Sequence, residues 1–407
     1  MNVVTLDQES LAQGGFFVPH YELRIEGACL PRVVLRDVIQ LTYTDEIKGI
    51  DSFELTVNNW DPSTNSFKYV GSETAQSLQG DTAESKRYHL FEPSHKEVQV
   101  KMGYMDSMRV MMTGNFTTME PNFPGSGAPT LTVRGLNVLH QLRRKQYNDT
   151  WTGKKDSEIA ERIGKQVDRT TKKKRFPLPV QIDPNALKKE TPLDYLAQKN
   201  QYDIDFLFSR ARQRGYVIFI QEKDPTVRGS ETRLYFGPSD GRVPGLRAVT
   251  FKLEWGKSLI DFKPTLTTAN QVRSVTVNGW DRNTGKPINE QVTLDDPRLN
   301  RNRDLYELLQ KSPPREEEVV DEPVFTKKQA RERAIAILSD RQKEMVKATG
   351  TTIGLPDLRA GQRVQIRGLG VRFNGTYFVT STTHTIGDSG YTTRFEARRE
   401  DGGQGDS

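Results

Sequence analysis

Apolar and polar residues alternate in four short segments of the first third of the chain: Tyr21 to Ile25, Phe53 to Val57, Val98 to Met102 and Thr130 to Arg134. A period of two sends successive side chains to opposite faces, so each segment predicts a strand that buries one face. The span 58–65 (NNWDPSTN) supplies turn formers straight after the second strand, and Pro121 to Pro129 is a further Gly/Pro-rich loop. With no long helical runs between the strands, residues 1–135 are expected to form a β-barrel or sandwich rather than βαβ units.

The period changes after Gly135. Leu136, Leu139 and Leu142 fall at helical spacing within Leu136 to Gln146, as do Ile159, Ile163 and Val167 within Asp156 to Val167. A third helix is expected from Thr191-Pro192, a capping residue and a first-turn proline, through Leu193, Leu196, Ala197, Ile204 and Phe208 toward Gly215. Strands at Tyr216 to Ile220 and Arg233 to Phe236 follow, which makes 136–245 a mixed α/β module. Alternation returns in Val249 to Trp255 and opens a second β-rich domain, 246–400. That domain is expected to contain a charged, Pro-rich loop at 296–324 and a helix at 328–349, with Ala330, Ala334, Ile337, Leu338, Arg341 and Met345 on one side. Strands around Tyr377 to Val379 and Tyr391 to Ala397 close it, and 401–407 (DGGQGDS) reads as a disordered tail. VNNWDPSTN (57–65) and VNGWDRNTG (277–285) share a strand end and a Trp-Asp turn, suggesting that Trp60 and Trp280 anchor corresponding turns in two copies of one fold.

Composition narrows the class. A length of 407 residues calls for two or three cores, and 34% hydrophobic with 28% charged residues fits a soluble, loop-rich globular chain. No apolar run reaches the length of a membrane span, and the N-terminus lacks the pattern of a secretion signal. One cysteine, Cys29, can form neither an internal disulfide nor a Cys-rich metal cluster; it reads as a small hydrophobe, and cytosolic synthesis follows. The net charge of +6 is a slight excess of 59 basic over 53 acidic side chains, so it does not by itself call for nucleic acid.

Candidate chemistry is sparse. The five histidines (20, 89, 95, 140 and 384) have no metal-ligand spacing; His140 reads as solvated and His384 as facing a barrel exterior. RGLGVRFNG (367–375) lacks both the spacing and the following helix of a dinucleotide site and reads as a β-hairpin, and no phosphate loop or nucleophile elbow occurs. Lys172 to Arg175, preceded by Arg169, is the strongest basic patch, open to a solvated loop, an acidic partner surface or a polyanion. Asp203 and Asp205 could be paired carboxylates of a carbohydrate-active enzyme, yet two residues apart on a helix they do not share a face. No catalytic residue, cofactor site or metal site is assigned.

Three segments carry a resemblance: TPLDYLAQKNQYDIDFLFSRARQRGYVIFI (191–220), the helix from Lys328 to Thr349 leading into GLPDLRAGQRVQIRGLGVRFNGTYFVTSTTHTI, and GYTTRFEARR (390–399). Together they are similar to the baseplate hub family of contractile phage tails and contractile injection systems, the group of phage late control gene D proteins and the hub part of VgrG. The resemblance implies a mainly β chain in which two tube-like β-barrel domains flank the mixed α/β middle domain, and a structural role without enzymatic activity. It implies a homotrimer presenting a pseudo-sixfold ring to the hexameric tail tube, or to a tube-initiator protein, and a threefold base to the spike. Other baseplate proteins would be neighbours, with no nucleic-acid binding and no stable membrane association. Assembly would take place in the bacterial cytoplasm, for the baseplate of a phage-like or injection particle. Because VgrG-like chains continue into an OB-fold and a β-helical spike and this one stops after the second barrel, the spike is expected to be a separate protein. The alternating strand Arg363, Gln365, Arg367 is expected to meet solvent, the lumen or a neighbouring ring. The alternative function is a β-rich carbohydrate-active or polyanion-binding protein.

Overall fold

The computed structural model describes residues 2–5, 18–94, 96–105, 107–168, 172–223, 231–239, 249–297, 299, 307, 309, 311, 313, 315–321 and 324–400. The first stretch holds β1 (Asn2–Thr5), β2 (Pro19–Ile25), β3 (Ala28–Cys29), α1 (Arg32–Asp37), β4 (Val38–Glu46), β5 (Ser52–Asn58), β6 (Trp60–Asp61), β7 (Ser66–Phe67), α2 (Ala83–Tyr88), β8 (Glu97–Tyr104), β9 (Ser107–Asn122) and β10 (Thr130–Asn137). The middle holds β11 (Gln146–Trp151), α3 (Asp156–Lys165), β12 (Val180–Ile182), α4 (Pro184–Lys189), β13 (Leu196–Tyr202), α5 (Asp203–Arg214), β14 (Tyr216–Gln221) and β15 (Arg233–Pro238). The last holds β16 (Val249–Glu254), β17 (Leu259–Leu266), β18 (Ser274–Asp281), β19 (Lys286–Thr293), β20 (Glu316–Val319), α6 (Lys327–Lys343), β21 (Val346–Ile353), β22 (Arg363–Arg367), α7 (Gly370–Phe373), β23 (Gly375–Gly387) and β24 (Gly390–Arg399).

The fold is mainly β, with two barrel units flanking a mixed α/β unit. Alternation works as expected: Phe53, Leu55 and Val57 of β5, and Leu131 and Val133 of β10, are buried in the first core. Leu253, Val364, Ile366 and Phe395 do the same in the second, in one cluster with Ala330, Ala334 and Leu338 of α6. A third core, with Ile159, Ile163, Ile204, Leu207 and Phe236, belongs to the middle unit.

The two barrels repeat in register. In the first, the strands lie in the order β4-β5-β10-β9-β8-β2, and in the second β17-β21-β24-β23-β22-β16. A one-residue bulge falls at Thr117 of β9, where Arg134 faces Thr118 and Gly135 faces Phe116, and at Thr380 of β23, where Glu396 faces Ser381 and Ala397 faces Val379. In each bulge the threonine hydroxyl donates back to the partner strand, to Arg134 O (3.4 Å) and to Glu396 O (3.1 Å). A second bulge pair falls at Ile39 of β4 and Ile260 of β17. Counted from these marks, Val98-Gln99-Val100 of β8 coincides with Val364-Gln365-Ile366 of β22. The copies differ at β2, antiparallel to β8, against β16, parallel to β22, and in the insertion of β18, β19, β20 and α6 between β17 and β21.

The Trp-Asp turns are alike locally, since Asp61 accepts from Ser63 N (2.9 Å) and Asp281 from Asn283 N (2.8 Å). They nevertheless sit on non-equivalent strands: Trp60 follows β5, whose counterpart is β21, whereas Trp280 ends β18 inside the insertion and is 54% exposed. The helix expected from Leu136 is the end of β10 followed by a 3₁₀ turn, Val138–Arg143, because Asn137 caps Leu139 N while Asp51 holds its amide. The helix expected from Thr191 begins at Asp203; Leu196–Tyr202 is instead β13, recruited by the ladder of β11. The helix expected over 328–349 ends at Lys343, because Val346–Ile353 pairs with strands on both sides. Part of the charged loop, Glu316–Val319, is strand β20 beside β18. Cys29 is exposed rather than packed as a hydrophobe. The tail 401–407 lies outside the described residues.

Candidate functional site at the junction of the barrels

β23 is shared between the barrels. Its first residues pair with β22, and Ser381 to Ile386 pair antiparallel with Glu46 to Leu41 of β4, so one sheet runs through both units. β4 carries Leu41, Tyr43 and Asp45 on its buried face, and the last of these puts a carboxylate where the alternation calls for an apolar residue. Such a group needs partners, and the loop between β21 and β22 supplies them. Arg359 Nε donates to Asp45 Oδ2 at 2.7 Å, its Nη2 donates to Met111 O at 2.7 Å and to the Tyr43 hydroxyl, and the guanidinium lies 4.7 Å from the Tyr43 ring centre. Ala360 N and the Thr382 hydroxyl complete the shell of Asp45.

His384 lies beside this ion pair. Its Nε2 is 3.0 Å from Leu358 O, an acceptor only, so Nε2 carries the proton; Nδ1 accepts from the hydroxyls of Tyr391 (3.0 Å) and Thr393 (3.1 Å). Burial holds the imidazole down to about 4, with the Arg359 charge acting in the same direction and Asp45 opposing it. His384 is therefore a neutral, fully buried linker and does not face a barrel exterior. Asp51, which accepts from Asn137 Nδ2 at 2.7 Å and from Glu46 N at 3.2 Å, is pushed up to about 8 by burial and then by the neighbouring Asp45. At the rim, Arg109 Nε bonds Asp357 Oδ1 (2.8 Å) and Tyr104 OH donates to Gly354 O (2.9 Å). Ile47, Val217, Phe219, Tyr235, Ala360 and Phe378 form a small core where all three units meet. The network is chemically a clamp: its groups are buried and mutually bonded.

The other candidates are not brought together. Asp203 is buried, accepting from Gln198 Nε2 at 2.8 Å, whereas Asp205 is exposed and bonded to Arg143 (2.9 Å). Lys172, Lys173 and Lys174 are exposed, but Arg175 turns inward to Asp149 (2.8 Å) and over the Tyr147 ring (3.5 Å); Arg169 and His95 lie outside the described residues. His140 is half-buried, with Nδ1 on Asn137 O at 2.8 Å, and Arg363 reaches Ser239 O at 3.3 Å. A cleft of about 1210 Å³ between the middle unit and α6 is rich in basic side chains, and its Glu332 is paired with Arg214 (3.0 Å). Among the described residues no group of three or more His, Cys, Asp or Glu could hold a metal ion, and no helix is long and apolar enough to cross a membrane. Sequence reasoning missed Asp45, Asp51 and Arg359; a lone Asp on the apolar face of β4 was the available signal.

Comparison with solved structures gives the fold. The chain is similar to the 43 kDa tail protein of prophage MuSo2 from Shewanella oneidensis, with 14% identity, TM-score 0.61, and 95% of this chain and 100% of that one covered. It is similar to a tail protein from Neisseria meningitidis MC58, with 12% identity, TM-score 0.62 and coverage of 94% and 97%. A third likeness is to an Escherichia coli component of the type VI secretion system, described as structurally similar to the phage T4 tail proteins gp27 and gp5; identity is 11%, TM-score 0.51 and coverage 94% and 78%. The fold is thus that of phage tail proteins. A family model described as the Alg8 N-terminal domain matches residues 18–388, and the chain belongs to that family. No curated protein matches.

Proposed function

We propose that the protein is a structural hub of a contractile tail or injection particle, a homotrimer that joins a sixfold tail tube, or its initiator, to a threefold spike. The observation that carries this reading is the in-register barrel repeat within one chain: three copies supply six barrels, so a threefold object offers a nearly sixfold face. The junction clamp fits the role, because a ring of fixed geometry needs two barrels that do not swivel. The fold shared with phage tail proteins supports the same reading, with other baseplate proteins as further neighbours and no turnover reaction, nucleic acid or stable membrane contact. The test is to make particles without this chain and examine them by electron microscopy. Tubes unjoined to spikes are expected; normal spike-bearing particles would refute the role and return attention to an enzyme or a polyanion binder.

A further inference from the structure

Among the described residues one strand ladder joins the two six-strand barrels, β4 against β23, and the repeat leaves its counterpart half-made. β9 corresponds to β23, but among the described residues it pairs beyond Asn115 only with β10, so Phe116 to Asn122 has an open edge on the side where β23 receives β4. β17 corresponds to β4, and among the described residues its only ladder is with β21. Both edges are exposed, with Thr117, Thr118, Glu120 and Asn122 on one and Ile260 (58%) and Leu266 (38%) on the other. An exposed edge strand is an unfilled pairing site.

We propose that β9 of one copy abuts β17 of the next in the register of β23 on β4, and that three such contacts close the ring. This rests on the trimeric reading above and supplies its contact. The bulges fix the alignment: Thr383 opposite Thr44 becomes Glu120 opposite Thr265, and Thr385 opposite Thr42 becomes Asn122 opposite Lys263. Lys263 then lies diagonal to Glu120, an opposite-charge arrangement. His384 opposite Tyr43 becomes Pro121 opposite Pro264. The ladder parity set by Asn59 N to Pro129 O (2.9 Å) and by Thr267 N to Met345 O (2.9 Å) turns both proline nitrogens toward the open edges. The central pair therefore makes no backbone hydrogen bonds and its neighbours, Glu120–Thr265 and Asn122–Lys263, are non-hydrogen-bonded pairs, so Met119 opposite Leu266 and the side chains hold the contact. The same prolines keep either edge from accepting an arbitrary strand.

The test uses the full chain with Cys29→Ser and two introduced cysteines. Glu120 and Thr265 form a non-hydrogen-bonded pair in this register, where Cα atoms come within disulfide reach. Glu120→Cys with Thr265→Cys should oxidise to a covalent ladder ending at three chains of 46.3 kDa, and Asn122→Cys with Lys263→Cys should do the same. Glu120→Cys with Asp261→Cys, four residues out of register, should stay uncrosslinked. A native trimer in which neither matched pair crosslinks, or in which the shifted pair crosslinks as well, overturns the strand contact and leaves the hub reading standing. A crosslinked trimer that cannot join tube to spike upholds the contact and sinks the hub reading. A chain that remains monomeric with tube and spike proteins present defeats both.

Discussion

Arg359 is the residue on which the two barrels depend most directly. Its guanidinium meets Asp45, Tyr43 and Met111 of the first barrel from a loop of the second, and removing it leaves a buried carboxylate without its cation. Breaking a buried pair from one side typically costs about 3–5 kcal/mol, whereas replacing both partners by apolar groups can be nearly neutral. Arg359→Leu is therefore expected to lose about that much in urea unfolding, and Arg359→Leu with Asp45→Leu to regain most of it; a loss of under about 1 kcal/mol in the single variant would mean the pair does not clamp the units. Asp51 gives a pH signature. Its folded value near 8 lies above its ordinary 3.8, so it stays protonated in the fold, and its contribution is complete below about pH 4 and lost as pH rises through about 8. His384 runs the other way, complete above its ordinary 6.5 and lost as pH falls through about 4. The two oppose each other at acidic pH, and of the two only Asp51 acts above pH 6.5. The melting temperature should therefore fall between pH 6.5 and 8, and Asp51→Asn should flatten that fall. An unchanged slope in the variant would assign the effect elsewhere.

Among the elements, the loop between β21 and β22 does the joining, and Gly354 shows how closely it fits. A Cβ there would overlap the ring of Tyr391, whose hydroxyl bonds His384, while Gly354 O accepts from Tyr104. Gly354→Ala is expected to cost about 1–3 kcal/mol by overpacking. Trp280→Ala, at an exposed strand end, should cost less than about 0.5 kcal/mol. A reversal of that order in chemical denaturation would move the critical packing from the junction to the Trp-Asp hairpin. The same elements mark how far the sequence could be read. Strands with clean alternation, such as β5, β8 and β16, were legible because one buried face imposes a period of two on the residues themselves. β13 was not, since Leu196–Tyr202 is a strand only because β11 lies beside it, and no local signal records a neighbour. The repeat was inferred from the wrong residues: the Trp-Asp turns recur because turn chemistry favours Asp there, while the real equivalence, Val98-Gln99-Val100 with Val364-Gln365-Ile366, rests on ladder register. Asp45 and Arg359, far apart in sequence, meet only in the fold.

For the whole molecule, a continuous sheet and a shared core where the three units meet join the two barrels, which is what the proposed adaptor role requires. Six barrels from three chains can match a sixfold tube only approximately, because β2 and β16 run in opposite directions and only the second barrel carries the β18–β20 and α6 insertion. In the proposed trimer those departures would give the ring a threefold character for a spike to read. Native mass spectrometry with tube and spike proteins should find three chains of 46.3 kDa per complex; six separate chains around the ring would contradict the two-barrel arithmetic. The most direct measurement is a particle reconstruction at a resolution that traces strands. The hub role requires three copies between the last tube ring and the spike, each placing both barrels in the ring, with β9 of one copy beside β17 of the next. Density for this chain anywhere else in the particle, or a ring built from one barrel per chain, would contradict it.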